Sequence, residues 1–428
     1  MKLWEKGIPT DKKIDLFTVG NDRELDLVLA EYDVLGSIAH AQMLAKTGLL
    51  TDKEAIDLTV ALNEILEVIK SGDFVIEDTF EDVHSKVEYL LTEKLADTGK
   101  KIHTARSRND QVLVDVHLYL KNELQAIKAL VKELFDLLIT LSKKHQTVLL
   151  PGYTHFQIAM PSSFGMWFSA YAESLIDDVT MLNAALQIID QNPLGSAAGY
   201  GSSFPIDRAF TTQILGFETL KYNAVAAQMS RGKSEKTVAF ALSSVASTLS
   251  KMAMDTCLYL SQNFNFISLP QHLTTGSSIM PHKKNPDVFE LIRAKCNKIQ
   301  ALPYELTLLT NNLPSGYHRD FQLLKEGLFP AIQSMKSCIE MCTFSIKDIK
   351  VNEHILEDKK YDYLFTVDAL NELVTQGIPF RDAYKIVAEQ IELNTFKSPK
   401  VTKHTHEGSI NNLCLEEIIA KMDNKYLN

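Results

Sequence analysis

The sequence lacks an excess of positive charge and a long apolar run. Its 428 residues carry 44 lysines and arginines against 54 aspartates and glutamates, which gives a formal net charge of −10 at pH 7. This balance argues against a nucleic-acid partner, because phosphate binding requires an excess of basic residues. No run of about 18 apolar residues is present, so we expect no membrane span.

Cysteine is also scarce, and no two cysteines have the CxxC spacing. The five cysteines are Cys257, Cys296, Cys338, Cys342 and Cys414. Free thiols in a reducing cytoplasm explain this odd number most simply, and Met1–Gly7 contains no apolar segment of a secretory signal. We therefore expect a cytoplasmic protein. Cys338 and Cys342 lie four apart in a helical stretch and are interpreted as small core or interface residues rather than metal ligands.

Glycine and proline are absent from long stretches in the middle of the chain. Between Gln111 and Leu150 neither occurs, and apolar residues recur there at intervals of three and four. This spacing predicts an apolar stripe on an unusually long helix. Four further long helices are predicted, at Ser162–Ile189, Lys233–Leu269, Val288–Asn312 with a kink at Pro303, and Leu328–Asp348.

Five long helices in one part of the chain predict a long helix bundle. The Lys233 segment is apolar nearly all round, because Val238 to Leu242 and Val245 to Leu249 leave few polar positions on any face. Such a helix needs cover on every side. In an elongated bundle neighbouring subunits can provide that cover, so we expect a homo-oligomer that assembles through these helices.

We therefore expect an all-α protein with three mainly helical domains. Residues 1–106 would form an N-terminal helical domain, residues 107–352 the central long-helix bundle at the core of the oligomer, and residues 353–428 a short C-terminal helical domain. Shorter helices are predicted at Asp22–Thr47, Thr51–Ser71, Tyr361–Thr375, Arg381–Leu393 and Leu415–Met422. Thr51 and Glu54 form a capping-box pattern. The best strand candidate is Gly72–Ile76.

The segment Gly276–Pro286 contains the densest group of polar and charged side chains that could take part in catalysis. Its glycine and prolines make a regular element improbable. Its two serines, two lysines and one asparagine could surround an anion such as a carboxylate, and the cations would make a neighbouring hydroxyl easier to ionise. The alternative is an ordinary solvated surface loop.

Four other clusters of polar residues stand out. They are Glu81–Glu88, Lys101–Gln111, Pro151–Gln157 and Tyr317–Glu326. Each has a purely structural alternative: Asn109 or Asp110 could simply cap the long helix, and His84 or His155 could be a satisfied structural histidine. The location of these segments favours a functional interpretation. Of the five, counted with Gly276–Pro286, three lie at predicted ends of long helices, where a helix bundle can assemble a compact polar site.

Together these segments resemble the argininosuccinate lyase family of the fumarase/aspartase superfamily. Thr104–Gln111 is similar to the family string Thr-Gly-Arg-Ser-Arg-Asn-Asp-Gln, with Ala105 in the glycine position. Pro151–His155 is similar to Pro-Gly-Tyr-Thr-His, and Gly276–Asp287 to Gly-Ser-Ser-x-Met-Pro-x-Lys-Lys-Asn-Pro-Asp. Further colinear matches are Asp82–His84, Pro193–Ser196, Glu290–Arg293 and Pro379–Arg381. The resemblance therefore covers most of the chain.

The resemblance implies the reversible cleavage of argininosuccinate to arginine and fumarate, a β-elimination across a C–N bond. In this reaction the carboxylate next to the deprotonated carbon takes up the charge, so neither a cofactor nor a metal is implied. The resemblance also implies a homotetramer whose active sites are shared between subunits.

The resemblance assigns roles to individual residues. The catalytic residues would be Ser277 as the base, His155 on the acid side, Glu290 as the partner that orients it, and Lys283 as a stabiliser of negative charge. The residues that contact substrate would be Arg108, Asn109, Thr154, Asn285, Tyr317, Gln322 and Lys325, of which the last three would hold the arginine moiety.

Several positions depart from the family pattern. They are Arg23, Ile158, Met160, His282, Leu323 and Leu324, together with the beginning at Trp4–Gly7. Most lie around the leaving-group side, which leaves a modified argininosuccinate open as substrate. A lyase for adenylosuccinate or a fumarase is a second alternative, against which Lys284 and the string Ser107–Asp110 argue. A non-catalytic crystallin-like protein is a third, against which the retained catalytic set argues.

Overall fold

Helices dominate the structure, a computed structural model that describes residues 11–427. The all-α prediction is confirmed. In chain order the α-helices are α1 (Lys12–Val19), α2 (Asp22–Asp26), α3 (Ala30–Lys46), α4 (Asp52–Ser71), α5 (Val83–Leu95), α6 (Asp97–Lys100), α7 (Arg108–Lys144), α8 (Phe164–Ile189), α9 (Arg208–Ile214), α10 (Ala224–Met229), α11 (Lys233–Leu260), α12 (Asp287–Thr310), α13 (Leu324–Ile346), α14 (Thr366–Thr375), α15 (Phe380–Glu392) and α16 (Leu415–Leu427).

The sheets are small, and each has two strands. The strands are β1 (Leu149–Thr154), β2 (Gln157–Ser163), β3 (Gln191–Asn192), β4 (Thr219–Leu220), β5 (Ile267–Ser268) and β6 (Lys350–Val351). β1 and β2 form an antiparallel hairpin, β3 and β4 a short parallel pair, and β5 and β6 a short antiparallel pair. Only the hairpin is long enough to present side chains at a site of its own.

The five predicted long helices are all present, as α7, α8, α11, α12 and α13. The apolar stripe of α7 is buried, including Leu120, Leu124, Val131 and Leu134. A proline lies inside α12 and another inside α13, at Pro303 and Pro330. The capping box of α4 is also confirmed.

Three details of the prediction are wrong. α7 stops at Lys144 because the chain from Leu149 pairs with β2, and α11 stops at Leu260 because β5 pairs with β6. The predicted strand Gly72–Ile76 is instead the end of α4 and a connection without a ladder. Gly72 caps the helix with a φ of 81°, a left-handed conformation that glycine adopts without steric cost.

The chain divides into two compact units whose boundaries fall inside the long helices. Unit 1 comprises residues up to Ile127, Met181–Ser243 and Ile299–Ser334, and unit 2 comprises Lys128–Thr180, Ser244–Lys298 and Met335–Asn428. In unit 1, α3, α4 and α5 share an apolar core. The division into three domains, which was predicted from the sequence, remains a prediction.

Unit 2 contains an aromatic cluster that holds the β1–β2 hairpin. The ring of Tyr153 on β1 lies 5.3 Å from that of Phe264 and 6.4 Å from that of Phe266, and its hydroxyl lies 3.4 Å from that of Tyr361. The hairpin is therefore fixed close to its tip by buried aromatic surface.

Two further predictions from the composition concern the state of the cysteines and the absence of a membrane-spanning helix. All five cysteines are free, and Cys338 and Cys342 are buried in α13, as expected for core residues. Within residues 11–427, each helix is too short or too polar to cross a bilayer. The segment Met1–Gly7, from which the absence of a signal was predicted, lies outside the described residues.

Candidate active site

A polar cavity of about 250 Å³ lies in unit 1 and collects five of the predicted substrate-binding residues. These five are Arg108, Asn109, Tyr317, Gln322 and Lys325. The other lining residues are Asp22, Asp26, Glu81, Asp82, His84, Val112, Arg231 and Arg319. The cavity thus brings together the ends of α2, α5, α7 and α13, and almost every lining side chain is charged or polar.

The first turn of α7 places Arg108 and Asn109. The Ser107 hydroxyl accepts from the backbone N–H of Asn109 at 3.3 Å, and Asp110 accepts from the backbone N–H of Ser107 at 2.8 Å. These bonds satisfy donors that a helix start leaves unpaired. Asp110 is thus a structural residue of the first turn, and it is completely buried. Because α7 begins at Arg108, neither Asn109 nor Asp110 is the residue that precedes and caps the helix.

Asp110 also ties α7 to the segment after β3. Its second carboxylate oxygen accepts from the backbone N–H groups of Gly195 and Ala197, each at 2.9 Å. Gly195 has a φ of 84°, and a Cβ there would lie 2.7 Å from Cγ of Arg208, so only glycine fits. The matched string at Pro193–Ser196 therefore supports the helix start that carries the predicted binding residues.

Arg108 is held by acids but keeps one donor group. Its Nη1 lies 3.0 Å from Glu81 and 3.2 Å from Asp82. Burial alone would lower the pKa of Arg108, but the charges of Asp82 and Glu81 outweigh it and raise the pKa. Its Nη2 is buried without a hydrogen-bond partner among the described residues. An added carboxylate would satisfy this donor, as the predicted role requires.

Lys325 lies at another corner of the cavity and is almost fully buried. Its ammonium lies 2.5 Å from Asp22 and 2.5 Å from Asp26. Burial alone would lower the pKa of Lys325, but the two carboxylates outweigh it and raise the pKa, so the side chain stays charged.

His84 lines the cavity and connects it to two buried carboxylates. Its Nδ1 lies 2.7 Å from Asp33 and 3.7 Å from Asp115. Burial opposes protonation of the ring, but the charge and hydrogen bond of Asp33 outweigh it and raise the pKa of His84 to about 9. The three side chains could offer metal ligands within 4.8 Å of one another. The short contact between Nδ1 of His84 and Asp33 is typical of an ion pair, and we interpret the group as an ion-pair network.

The other six predicted site residues belong to unit 2. Three of them, Ser277, Lys283 and Asn285, lie in the loop Gly276–Pro286, which directly precedes α12. The loop is closed at its neck, where Thr275 and Asn285 exchange backbone hydrogen bonds of 3.3 and 2.8 Å. The Asn285 amide adds a bond to the carbonyl of Gly276 at 3.2 Å. The loop is exposed in the single chain, with a defined shape at its base.

The hydroxyl of Ser277 is held inside this loop by the backbone. It accepts from the N–H of Met280 at 3.1 Å, and Met280 in turn accepts from the N–H of Lys283 at 3.0 Å. A hydrogen-bond donor on the oxygen stabilises its ionised form more than its neutral form. This contact supports the base role that the resemblance gives to Ser277.

His155 lies at the tip of the hairpin, directly after Thr154. It and Phe156 form the two-residue connection of β1 and β2, with φ values of 54° and 59°. Two positive φ values match a type I′ turn, a tight hairpin connection that costs energy in residues other than glycine, asparagine or aspartate. The backbone thus projects His155 into solvent in the single chain, and this strain is consistent with a functional role.

Glu290 lies exposed in the first turn of α12. Within residues 11–427 of one chain, no hydrogen bond joins it to His155, so the role of Glu290 in orienting His155 remains a prediction.

Comparisons with known proteins decide the family. A family model described as "Lyase" matches residues 5–301. The chain is 58% identical to an argininosuccinate lyase of Parabacteroides distasonis, over 98% of this chain and 94% of that protein. It is 42% identical to one from Thermotoga neapolitana, over 91% of this chain and 98% of that protein. The chain belongs to the argininosuccinate lyase family.

A solved structure agrees at the level of fold. An EDDS lyase variant with bound fumarate superposes with a TM-score of 0.77, at 20% identity, over 99% of this chain and 90% of that chain. The long-helix architecture is therefore shared with a lyase of quite different sequence.

Some of the lining residues were not identified as site residues from the sequence. Glu81, Asp82 and His84 lay within a segment noted for its chemistry, whereas Asp22 and Asp26 carried no motif. The two aspartates lie four residues apart in α2, a spacing that places both carboxylates on one face of the helix. This spacing is the feature of the sequence that could have identified them.

Five of the six single-residue departures from the pattern of the argininosuccinate lyase family fall into two groups, and Ile158 is half-buried. Arg23 has a structural task, since its Nε donates to the carbonyl of Phe80 at 2.6 Å, and Leu324 is fully buried at the start of α13. Met160, His282 and Leu323 are exposed in the single chain.

Proposed function

We propose that the protein catalyses the reversible β-elimination of argininosuccinate to L-arginine and fumarate in arginine biosynthesis. The observation that carries this conclusion is the 58% identity, over 98% of the chain, to an argininosuccinate lyase. The polar cavity in unit 1 supports it, because it combines buried cations for carboxylates with acids for a cationic amine half.

Ser277 removes the proton from the carbon beside a carboxylate. Such a carbon is a weak acid and serine is a weak base at neutral pH, so the alkoxide needs stabilisation. The N–H of Met280, which donates to the Ser277 hydroxyl at 3.1 Å, and the ammonium of Lys283 in the same loop provide it. Closure of the loop over substrate would exclude water and strengthen both effects.

The carbanion that follows is a dianionic form of the carboxylate. Lys283 and Asn285 stabilise this charge, and fixed donors of this kind act most strongly where charge develops in the transition state. His155, oriented by Glu290, serves on the acid side and delivers a proton to the departing guanidino nitrogen, directly or through water.

Substrate binding uses the remaining predicted residues. Arg108, Asn109 and Thr154 hold the carboxylates of the succinyl half, for which a guanidinium fork is well suited. The residues Tyr317, Gln322 and Lys325 contact the arginine half. The carboxylate takes up the charge of the reaction, so the proposal needs no cofactor and no metal.

The proposal includes a cytoplasmic homotetramer whose active sites take residues from more than one subunit. Free cysteines agree with a reducing compartment. Apolar side chains that remain exposed on α11, α12 and α13 agree with burial between subunits.

Replacement of two adjacent serines tests the assignment of the base. Ser277→Ala is expected to lower the rate of fumarate formation from argininosuccinate by about 10²–10⁴-fold, the usual contribution of general base catalysis. Ser278→Ala is the matched control, because Ser278 is the exposed neighbour to which no role is assigned, and it is expected to keep most of the activity. Both variants should keep the circular dichroism and mass of the wild type. Near-normal turnover by Ser277→Ala would refute the assignment.

A further inference from the structure

One corner of the cavity contains more negative than positive charge. We call Asp22, Asp26, Gln322 and Lys325 the Lys325 corner. The single ammonium of Lys325 lies 2.5 Å from each of the two carboxylates, and all three charged side chains are largely buried. One positive charge against two negative charges leaves a surplus of one negative charge in a site with little solvent.

Arg231 also lines the cavity and favours the charged form of Asp22, but its guanidinium is paired with Glu235 at 2.7 Å, so the pair adds no net charge. The remaining polar neighbour, Gln322, is neutral. The amide nitrogen of Gln322 donates to the carbonyls of Thr18 and Val19 at 3.1 and 3.0 Å, so both of its hydrogens are used. Its oxygen is the group that remains for a ligand. The corner therefore offers a ligand several acceptors and one cation, a pattern that matches a ligand with its own ammonium beside a carboxylate.

The two aspartates are not equivalent. Asp26 is the more deeply buried of the two. It accepts a hydrogen bond of 3.3 Å from the backbone N–H of Val83 at the start of α5, so its carboxylate has a structural role. Asp22 is 15% exposed and lines the cavity. Burial, reinforced by the charge of Asp26, raises the pKa of Asp22 to about 6. A cationic ligand group beside Asp22 would stabilise its charged form.

We propose that Asp22 is a specificity determinant that selects substrates whose amine half carries a free α-ammonium. The inference rests on the proposed function. The α-carboxylate of the arginine half binds Lys325, and the α-ammonium binds Asp22 and neutralises the surplus charge. An Nα-acylated amine half has no charge at that nitrogen, so it would leave a buried carboxylate uncompensated. The chain thereby rejects an Nα-acylated argininosuccinate.

A purely structural role would give a different result. If Asp22 served only to neutralise Lys325, its replacement would weaken both kinds of substrate by a similar factor. If it binds the ammonium, replacement lowers the preference between them. The ratio of two specificity constants therefore separates the two roles, and it does not depend on how much active enzyme a preparation contains.

The experiment compares argininosuccinate with Nα-acetyl-argininosuccinate by the formation of fumarate. The wild type is expected to prefer the free amine by about 100-fold or more in kcat/KM. A preference of this size corresponds to the free energy that is lost when a buried carboxylate has no hydrogen-bonded cation. Asp22→Asn is expected to reduce this ratio to about 10-fold or less, chiefly through KM for argininosuccinate, because the contact is remote from the reacting bond.

Asp22→Ser is a second variant in case the first is unstable. Asp348→Asn, at an exposed position after α13, is the control and should keep the ratio.

Equal use of both substrates by the wild type, or an equal loss for both in the Asp22 variants, would overturn the inference. If neither compound yields fumarate, the proposed function fails, and calorimetry with L-arginine and Nα-acetyl-L-arginine decides the inference separately. Selective binding of L-arginine that Asp22→Asn abolishes would support it. Equal binding of the two ligands, or no binding of either, would overturn it.

Discussion

At the scale of residues, burial fixes the charge states around the cavity. Asp33 stays ionised although burial opposes it, because His84 and Gln111 bind its carboxylate, and the pKa of Asp33 is lowered. Asp115 has no hydrogen-bond partner among the described residues, and burial together with the charge of Asp33 raises its pKa well above the ordinary value. The charged pair of the group is therefore His84 and Asp33, which lie 2.7 Å apart, whereas the charged form of Asp115 is disfavoured.

This charged pair predicts a dependence of stability on pH. The pKa of His84 is raised from 6.5 to about 9 in the folded state, so the stabilisation is fully present below about pH 6.5 and is lost as the pH rises through about 9. The loss is on the order of 3 kcal/mol. We expect the Tm of the wild type to fall across this window and that of His84→Gln to fall much less.

A matched variant controls this measurement. His272→Gln changes an exposed histidine and should reproduce the wild-type dependence. Parallel curves of Tm against pH for the wild type and His84→Gln would contradict the charge assignment of the buried group.

At the scale of elements, the sequence predicted most of the helices because their signals are local. The apolar spacing of α7 and the cap at Thr51 depend on residues within a few turns of each other. The ends of α7 and α11 were not predicted. After α7 the chain enters the β1–β2 hairpin, and after α11 it pairs as β5 with β6, a strand far away in sequence. His155 was named as a site residue, but its place at the tip of a hairpin was not predicted, since two positive φ values in His and Phe have no compositional signal.

The candidate site shows the same division between local and distant information. Arg108 and Lys325 were found through strings that surround them in sequence. Their acidic partners Glu81 and Asp22 come from other segments, and only folding shows which cation each acid neutralises. In the Lys325 corner, Gln322 and Lys325 were therefore predicted from the sequence, whereas Asp22 and Asp26 were not.

At the scale of the whole molecule, exposed apolar side chains on the long helices require an explanation. Met254, Leu291 and Phe344 lie exposed on α11, α12 and α13, in elements whose other apolar residues form the core. A stable monomer rarely exposes such surface along its longest elements. Contact with further copies of the chain, as in the proposed homotetramer, would cover it, and the sequence likewise predicted apolar surface nearly all round α11.

Disruption of this surface tests the proposed assembly. The wild type is expected to show four times the 48.1 kDa chain mass in light scattering. Phe344→Glu should shift the mass to smaller species and lower activity, because a buried charge without a partner opposes association. Phe380→Glu is the control, since Phe380 is 52% exposed against 55% for Phe344 but lies on α15, outside these helices. A fully active monomer would contradict shared active sites.

The most direct test of the account is the conversion of argininosuccinate by the purified protein, followed by the ultraviolet absorbance of fumarate and by quantification of arginine. Adenylosuccinate, offered in parallel, tests the nearest alternative reaction of the superfamily. We predict equal amounts of fumarate and arginine from argininosuccinate and no fumarate from adenylosuccinate. A flat trace with argininosuccinate from a folded protein, or fumarate from adenylosuccinate alone, would contradict the account.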